Sequence, residues 1–346
     1  MVKVAINGFG RIGRIFFRQA FGHSDLDIVA INDLGSPENL AYLLKYDSVY
    51  GRYEREVGVD GNKLVVGPAW HEASQGGKHE ILVLSEKDPA KLPWASLEID
   101  IVVESTGMFD SRDKASVHLD AGAKRVIITA PAKDEITPVS TPNVNERALK
   151  LDKITSNASC TTNAVTPVLA VLIAELGIKK AMLNTVHAYT SLQNLVDGPD
   201  RRDKFARGRA GAFNIVPYLT GAATATTKAI PELNGRFDGI ALRVPVPSGS
   251  IMDFTFLAAR VTTIEEVNSI FKKAAGEEQW KGILTVTEDP IVSTDVLGQP
   301  YGSIVDLSMT RVVDGDLVKV LAWYDNEWGY CAMLLRHLLT VSKLIE

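Results

Sequence analysis

Residues 2–21 read VKVAINGFGRIGRIFFRQAF. Val2 to Asn7 is a short apolar run and reads as a strand. Arg11 to Phe21 reads as a helix. The turn between them places Gly8, Gly10 and Gly13 in a GxGxxG pattern at the very start of the chain. In such a unit the first glycine makes the tight turn and the second lets a pyrophosphate approach the backbone. The third lets helix and strand pack closely, and the helix N-terminus faces the phosphates. A second strand, Asp27 to Asn32, is followed at once by Asp33, 20 residues after Gly13. A carboxylate there hydrogen-bonds ribose hydroxyls and repels a 2′-phosphate, so NAD is expected rather than NADP. A tight turn beside a surface aspartate is the competing reading, and the strand–turn–helix context argues against it.

Outward from this unit, Glu80 to Leu84, Asp100 to Val103 and Arg125 to Ile128 read as further strands. Helices are expected at Pro37 to Leu44 and Lys114 to Ala121. Strands alternating with helices predict a mostly parallel sheet. The second half has a different pattern. Lys180 to Val186, Gly239 to Val246, Ile251 to Arg260, Ser303 to Met309 and Leu317 to Tyr324 are strand-like, with few helices between them. Helices are expected at Thr161 to Leu176, Thr263 to Ala275 and Glu327 to Leu344. The expected class is α/β: a Rossmann-type dinucleotide-binding domain over 1–158, joined by a C-terminal helix at 326–346. An α+β catalytic domain with a largely antiparallel or mixed sheet follows over 159–325.

The 346-residue chain carries 37 Lys and Arg against 42 Asp and Glu, a net charge of −5, which disfavours a nucleic-acid or polybasic membrane role. No apolar run nears the roughly 18 residues that a membrane span requires. A secretory leader is not expected, because the glycine loop follows Met1 almost immediately. Cys160 and Cys331 are the only cysteines. A disulfide framework and a zinc site are therefore disfavoured, and a reduced, cytoplasmic setting is expected.

Cys160 sits in SNASCTTN (156–163), just before an apolar helix. A lone cysteine is usually a small buried hydrophobe. Here its neighbours are Ser159, Thr161, Thr162 and Asn163, which cap helices well and fill cores poorly. A helix start should lower the thiol's pKa. His187, at the end of LNTVH, is the candidate base. His23, His71, His79, His118 and His337 are placed in polar loops or on helices. A Cys–His pair serves a thiol hydrolase or an aldehyde dehydrogenase. Only the second needs a dinucleotide loop.

The chain resembles the phosphorylating glyceraldehyde-3-phosphate dehydrogenases, the type I enzymes of glycolysis. NGFGRIGR, AINDL, LLKYDSVYG, ESTG, APAK, SNASCTTN, HAYT, RVP and WYDNEWGY occur in family order along almost the whole length. The resemblance implies Cys160 as nucleophile and His187 as base, through a thiohemiacetal and a thioester, with glyceraldehyde 3-phosphate and inorganic phosphate as reactants. It implies Arg11, Ile12, Leu34, Ser105, Thr106, Thr129 and Asn326 as further NAD contacts. Thr190 and Arg243 match a substrate-phosphate site. Ser159, Thr161, Arg207, Thr220 and Gly221 match an inorganic-phosphate site. A homotetramer is implied, with Asp197 to Pro199 in a loop approaching a neighbouring subunit's cofactor. Erythrose-4-phosphate dehydrogenase shares most of these motifs and is the alternative activity. Arg201, Arg202, Lys204, Arg207 and Arg209 make a basic stretch, but the sparse aromatics and acidic total disfavour nucleic acid. The chain departs from its relatives in Ala164, where many carry a second cysteine, and in Val246 after RVP. It also departs in 139–145 and in a 199–211 segment one residue longer, with Gly208 and Gly211.

Overall fold

In the computed structural model, residues 1–69, 77–200 and 205–345 are described. His71, Arg201, Arg202 and Lys204 lie outside them. The chain divides into two compact units. One comprises Met1–Ser140, Glu146–Asn157 and Leu334–Glu346, and the other Thr141–Asn145 and Ala158–Met333. The joins differ from those expected. The chain returns to the first unit at Leu334, not Asn326. The helix Trp328–Ser342 begins in the second unit, where the buried Tyr330 hydroxyl donates to Ala158 O (3.4 Å). Thr141–Asn145 joins that unit as well, with Thr141 Oγ1 2.8 Å from Thr166 Oγ1.

The first unit holds an eight-stranded sheet in the order Ile154–Ser156, Arg125–Ile128, Ile101–Glu104, Val2–Asn7, Leu26–Asn32, His79–Leu84, Lys63–Ala69, Arg55–Asp60. The first six strands run parallel, and Lys63–Ala69 pairs antiparallel with His79–Leu84 on one side and Arg55–Asp60 on the other. The central strands are almost wholly apolar and buried, as a sheet covered on both faces requires. Strand order reverses around Val2–Asn7, so the glycine turn stands at the topological switch point, where α/β sheets bind ligands. The helix Arg11–Ala20 follows directly. The expected helix Lys114–Ala121 is two short ones, Arg112–Ala115 and Val117–Asp120, broken at Ser116.

The second unit holds a seven-stranded mixed sheet: Val216–Leu219, Phe237–Val244, Ile178–Ala188, Ser250–Ala258, Leu317–Tyr324, Ser303–Val313, Leu284–Thr287. Most pairs are antiparallel. Ile178–Ala188 with Phe237–Val244, and Leu284–Thr287 with Ser303–Val313, are parallel. Burial along Ser250–Ala258 alternates between full and partial, so one face is covered more completely than the other. Helices Cys160–Glu175, Ala222–Ala229 and Ile264–Ala275 pack on this sheet. Cys160–Glu175 is enclosed on nearly every side, which explains its largely apolar sequence.

Candidate active site

Cys160 is the first residue of its helix. Ser159 caps that helix, its Oγ accepting from Thr162 N at 3.1 Å. The preceding residue, Ala158, is fully buried and left-handed, with φ 58°. A non-glycine residue held there is strained, and such strain gathers at functional turns. It sets the entry to the helix that carries Cys160.

His187 lies one residue from the end of Ile178–Ala188, and its Nε2 is 3.2 Å from Cys160 Sγ. Parallel register pairs His187 with Arg243 on the adjacent strand. Arg243 Nη1 approaches His187 Nδ1 at 2.6 Å and donates to Ala188 O at 2.8 Å. The two neighbours of Nδ1 favour opposite tautomers. A guanidinium can only donate, so it needs a lone pair on Nδ1 and places the ring proton on Nε2, facing sulfur. Ala188 O, 2.7 Å from Nδ1, can only accept and favours the proton on Nδ1. The ring can therefore present Nε2 to sulfur as donor or as acceptor, both of which a nucleophile–base pair requires.

The electrostatics correct one expectation. The helix start alone does not set the thiol's pKa. Burial pushes Cys160 up, and Arg243 and then Thr161 oppose it. By residue exposure Cys160 is half-buried and His187 buried. Burial, then Arg243, holds the imidazole down at about 3. The resting ring is thus neutral at pH 7 and able to accept a proton.

Tyr324, which sequence reading did not single out, packs edge-on to His187 with ring centroids 6.0 Å apart. Its hydroxyl bonds Thr161 Oγ1 (2.9 Å) and Thr185 Oγ1 (2.7 Å), and burial keeps the phenol protonated. Thr161 is thereby tied into the wall of the site. Thr190, Arg207 and Arg243 line one small pocket with Gln193, Val216 and Tyr218. The structure thus brings residues expected at two phosphate sites into one place, and Arg243 links them to His187. Thr220 and Gly221 open a separate helix, Ala222–Ala229, where Thr220 Oγ1 accepts from Ala222 N at 3.1 Å.

All the expected cofactor residues except Asn326 lie in the first unit. Gly8 has φ +95°, and a Cβ there would fall 2.7 Å from Thr106 N. A Cβ on Gly13 would lie 2.2 Å from Gly8 O. At Gly10 the same test meets nothing within 4 Å. Two glycines are thus required by packing, and the third faces open space, as a pyrophosphate cradle needs. No side chain caps the helix that starts at Arg11–Ile12. Arg11 pairs with Asp47. Asp33 accepts from Phe9 N (2.7 Å) and Gly35 N (2.9 Å), and Leu34 beside it is exposed. Ser105 Oγ donates to Gly8 O at 2.6 Å.

Thr106 and Thr129 donate to Glu104, through its side chain (2.5 Å) and its carbonyl (3.0 Å). Glu104 is buried and missing from the expected set. Its carboxylate also accepts from Thr106 N and Asn7 Nδ2, and lies 3.1 Å from His118 Nε2. Trp94 donates to His118 Nδ1, which places that ring's proton on Nε2, toward Glu104. An acid ending the apolar strand IVVE was the available signal. His337 is likewise buried, held between Thr155 and Asn157, and burial lowers its pKa to about 4.

In the second unit, Asn326 Oδ1 accepts from Gly249 N (3.1 Å) and Ser250 Oγ (2.8 Å), which leaves its Nδ2 to donate elsewhere. Among the described residues no His, Cys, Asp or Glu cluster could hold a metal, and no helix is long and apolar enough to cross a membrane.

Comparison with known proteins follows the same division. Residues 2–112 match the NAD binding domain of glyceraldehyde 3-phosphate dehydrogenase, and residues 159–326 match its C-terminal domain. The chain is 48% identical over 330 residues to the glyceraldehyde-3-phosphate dehydrogenase of Geobacillus stearothermophilus, covering 95% of each. It is 48% identical over 336 residues to that of Streptomyces coelicolor, covering 96% of each. Against that of Clostridium pasteurianum it is 45% identical over 349 residues, covering 100% of both.

Proposed function

The chain belongs to the glyceraldehyde 3-phosphate dehydrogenase family, and from that premise we propose that it oxidises and phosphorylates glyceraldehyde 3-phosphate to 1,3-bisphosphoglycerate. The observation that carries the reading is the 3.2 Å approach of Cys160 Sγ to His187 Nε2, beside a guanidinium. In this reading Cys160 gives its thiol proton to His187 Nε2 as sulfur adds to the aldehyde carbon, and His187 returns that proton to the oxygen to give a thiohemiacetal. His187 Nε2 then removes that hydroxyl proton. NAD, when bound, supplies the acceptor for the two electrons and proton lost from carbon, which leaves a thioester on Cys160. A phosphate oxygen attacks the acyl carbon, the C–S bond breaks, and the thiolate is restored. Sulfur suits this role because a thioester retains enough acyl-transfer potential for phosphate to accept.

Thr190 and Arg243 would hold the substrate phosphoryl group, and Arg207, Ser159, Thr161, Thr220 and Gly221 the attacking phosphate. Guanidinium groups suit both anions by donating two parallel hydrogen bonds. The first unit would hold NAD. There Gly8, Gly10, Arg11, Ile12 and Gly13 would form the cradle and Asp33 and Leu34 the ribose edge. Ser105, Thr106 and Thr129 would line the strand ends, and Asn326 would donate to the carboxamide. Residues 159–325 would carry the chemistry. A homotetramer is supported by apolar side chains left open between Leu192 and Leu219, including Leu195, Phe205, Phe213 and Ile215. Two thiols outside any disulfide fit a reducing cytoplasm.

The test is NADH formation from glyceraldehyde 3-phosphate, with and without phosphate, and with erythrose 4-phosphate in parallel. Rapid, phosphate-dependent turnover of the triose is expected. A preference for the tetrose would transfer the chain to the sister activity, and no turnover of either by reduced protein would overturn the mechanism.

A further inference from the structure

Three neighbouring parallel strands of the first unit end in a buried polar residue after apolar ones: AIN at Asn7, AIN at Asn32 and VVE at Glu104. Register pairs Asn7 with Asn32 on one side and with Glu104 on the other, so the three form one row across the strand ends. The row is joined by hydrogen bonds. Asn32 Nδ2 donates to Asn7 Oδ1 at 2.7 Å, and Asn7 Nδ2 donates to Glu104 Oε2 at 2.6 Å. Each member is followed at once by residues of the expected NAD set: Gly8, Asp33, and Ser105 with Thr106. The row is thus the floor on which those residues stand.

Glu104 holds two parts of that floor together. Its side chain is 1% exposed, so it cannot itself meet a cofactor. Oε1 accepts from Thr106 N (2.8 Å) and Thr106 Oγ1 (2.5 Å). Oε2 accepts from Asn7 and from His118 Nε2 (3.1 Å), whose proton the Trp94 indole directs there. These four donors match the roughly four lone-pair sites of a carboxylate. Thr106 N is also the atom that a Cβ on Gly8 would strike, so the glycine turn rests directly on the backbone that Oε1 holds. Oε2 meanwhile fixes the residue just before that turn. One carboxylate therefore sets the turn and the segment beneath it. The strand ladder has no need of a buried acid, whose desolvation is costly, and an apolar residue would end the strand as well.

We infer that Glu104 is a positioning residue for NAD, acting through Thr106 and Asn7 on the glycine turn. The inference rests on the proposed function, because it assumes that this turn receives the pyrophosphate of NAD. Glu104 governs cofactor affinity and leaves the chemistry at Cys160 alone.

The experiment titrates parent and variants with NAD and with adenosine monophosphate by calorimetry, alongside steady-state kinetics and thermal denaturation. Glu104→Gln keeps the shape but turns two acceptor sites into donors, so it cannot serve Thr106 and the Asn7–His118 pair together. It is expected to weaken NAD about tenfold, the low end of what a hydrogen bond to a charged acceptor contributes. KM for NAD should rise in parallel, with kcat at saturating NAD within about twofold of the parent. Adenosine monophosphate carries only the half that Asp33 would hold, and the donors to Asp33 are Phe9 N and Gly35 N. Its affinity should stay within about twofold, since Glu104 bonds neither donor. Adding Asn7→Asp to Glu104→Gln moves the charge to position 7. The new carboxylate can accept from the amide at 104, from Asn32 and from His118 Nε2, which lies 3.4 Å from the Asn7 amide nitrogen. This pair should regain most of the NAD affinity. Equal NAD affinity for Glu104→Gln and the parent would overturn the inference, as would a double variant no tighter than the single one. Equal weakening of NAD and adenosine monophosphate with a lowered melting temperature would also overturn it and mark Glu104 as merely structural. If the parent itself fails to bind NAD, the proposed function falls, and this inference with it.

Discussion

Replacing His187 with leucine should raise the pKa of Cys160 and slow its alkylation near neutrality. Leucine keeps approximate bulk but can neither donate to sulfur nor accept its proton. In the structure Nε2 is 3.2 Å from Sγ, and burial is the leading influence on the thiol, pushing it above 9.0. A hydrogen bond to a charged acceptor contributes about 1.5 to 3 kcal/mol. At about 1.4 kcal/mol per tenfold, the thiolate fraction at pH 7 should fall by roughly ten- to a hundredfold. The sign follows from the charged form being the one stabilised: losing the donor makes ionisation harder, so reactivity appears at higher pH. Arg243 remains in both proteins and still favours the thiolate, which keeps the loss finite. The assay is the iodoacetamide rate from pH 5 to 10, with peptide mapping to separate Cys160 from the fully buried Cys331. Superimposable profiles for parent and variant would refute the view that His187 sustains the thiolate.

Other outcomes are open to equally direct measurement. Asp33→Ser should improve kcat/KM with NADP by about tenfold, by removing a charge that opposes the 2′-phosphate. It should also raise KM for NAD, because Phe9 N and Gly35 N lose their acceptor. Steady-state kinetics with both cofactors decides, and unchanged NADP use would remove Asp33 from the specificity argument. At Ala158, glycine should be neutral or stabilising by up to about 1 kcal/mol, because the residue is left-handed. Ala158→Val should destabilise by about 2 kcal/mol or more and slow turnover by shifting Ser159 and Cys160. Thermal denaturation measures both, and equal melting temperatures for the valine and glycine chains would contradict the strain.

The sequence carries the parts of this structure that are local. The strand, turn and helix from Val2 to Ala20 follow from three glycines and an apolar run, and Cys160 stands out because small polar residues surround it before an apolar helix. Parts defined by long-range pairing were hidden. The antiparallel pair Arg55–Asp60 and Lys63–Ala69 was not anticipated, since an edge strand reading REVGVD buries no residue fully. Helix Ala222–Ala229 escaped because AATATTKA is poor in large apolar residues. The Lys114–Ala121 pattern ignored Ser116, where the chain restarts a helix. In the site, Arg243 could be matched to a phosphate from its motif, but its contact with His187 arises from pairing two strands 56 positions apart. Tyr324 gave no local sign, because its partners are 139 to 163 residues away.

The shared register of His187 and Arg243 bears on how this protein tolerates change. A one-residue slip of either strand would turn its side chains to the opposite face and remove one member from the site. Eight consecutive pairs from Ala181–Phe237 to Ala188–Val244 oppose such a slip, so the spacing of base and guanidinium is fixed by the whole length of the ladder. Arg207, in the short helix Phe205–Gly208, lies outside that ladder. An insertion of one residue inside Ile178–Ala188 would therefore break the spacing of base and guanidinium on which the chemical step rests.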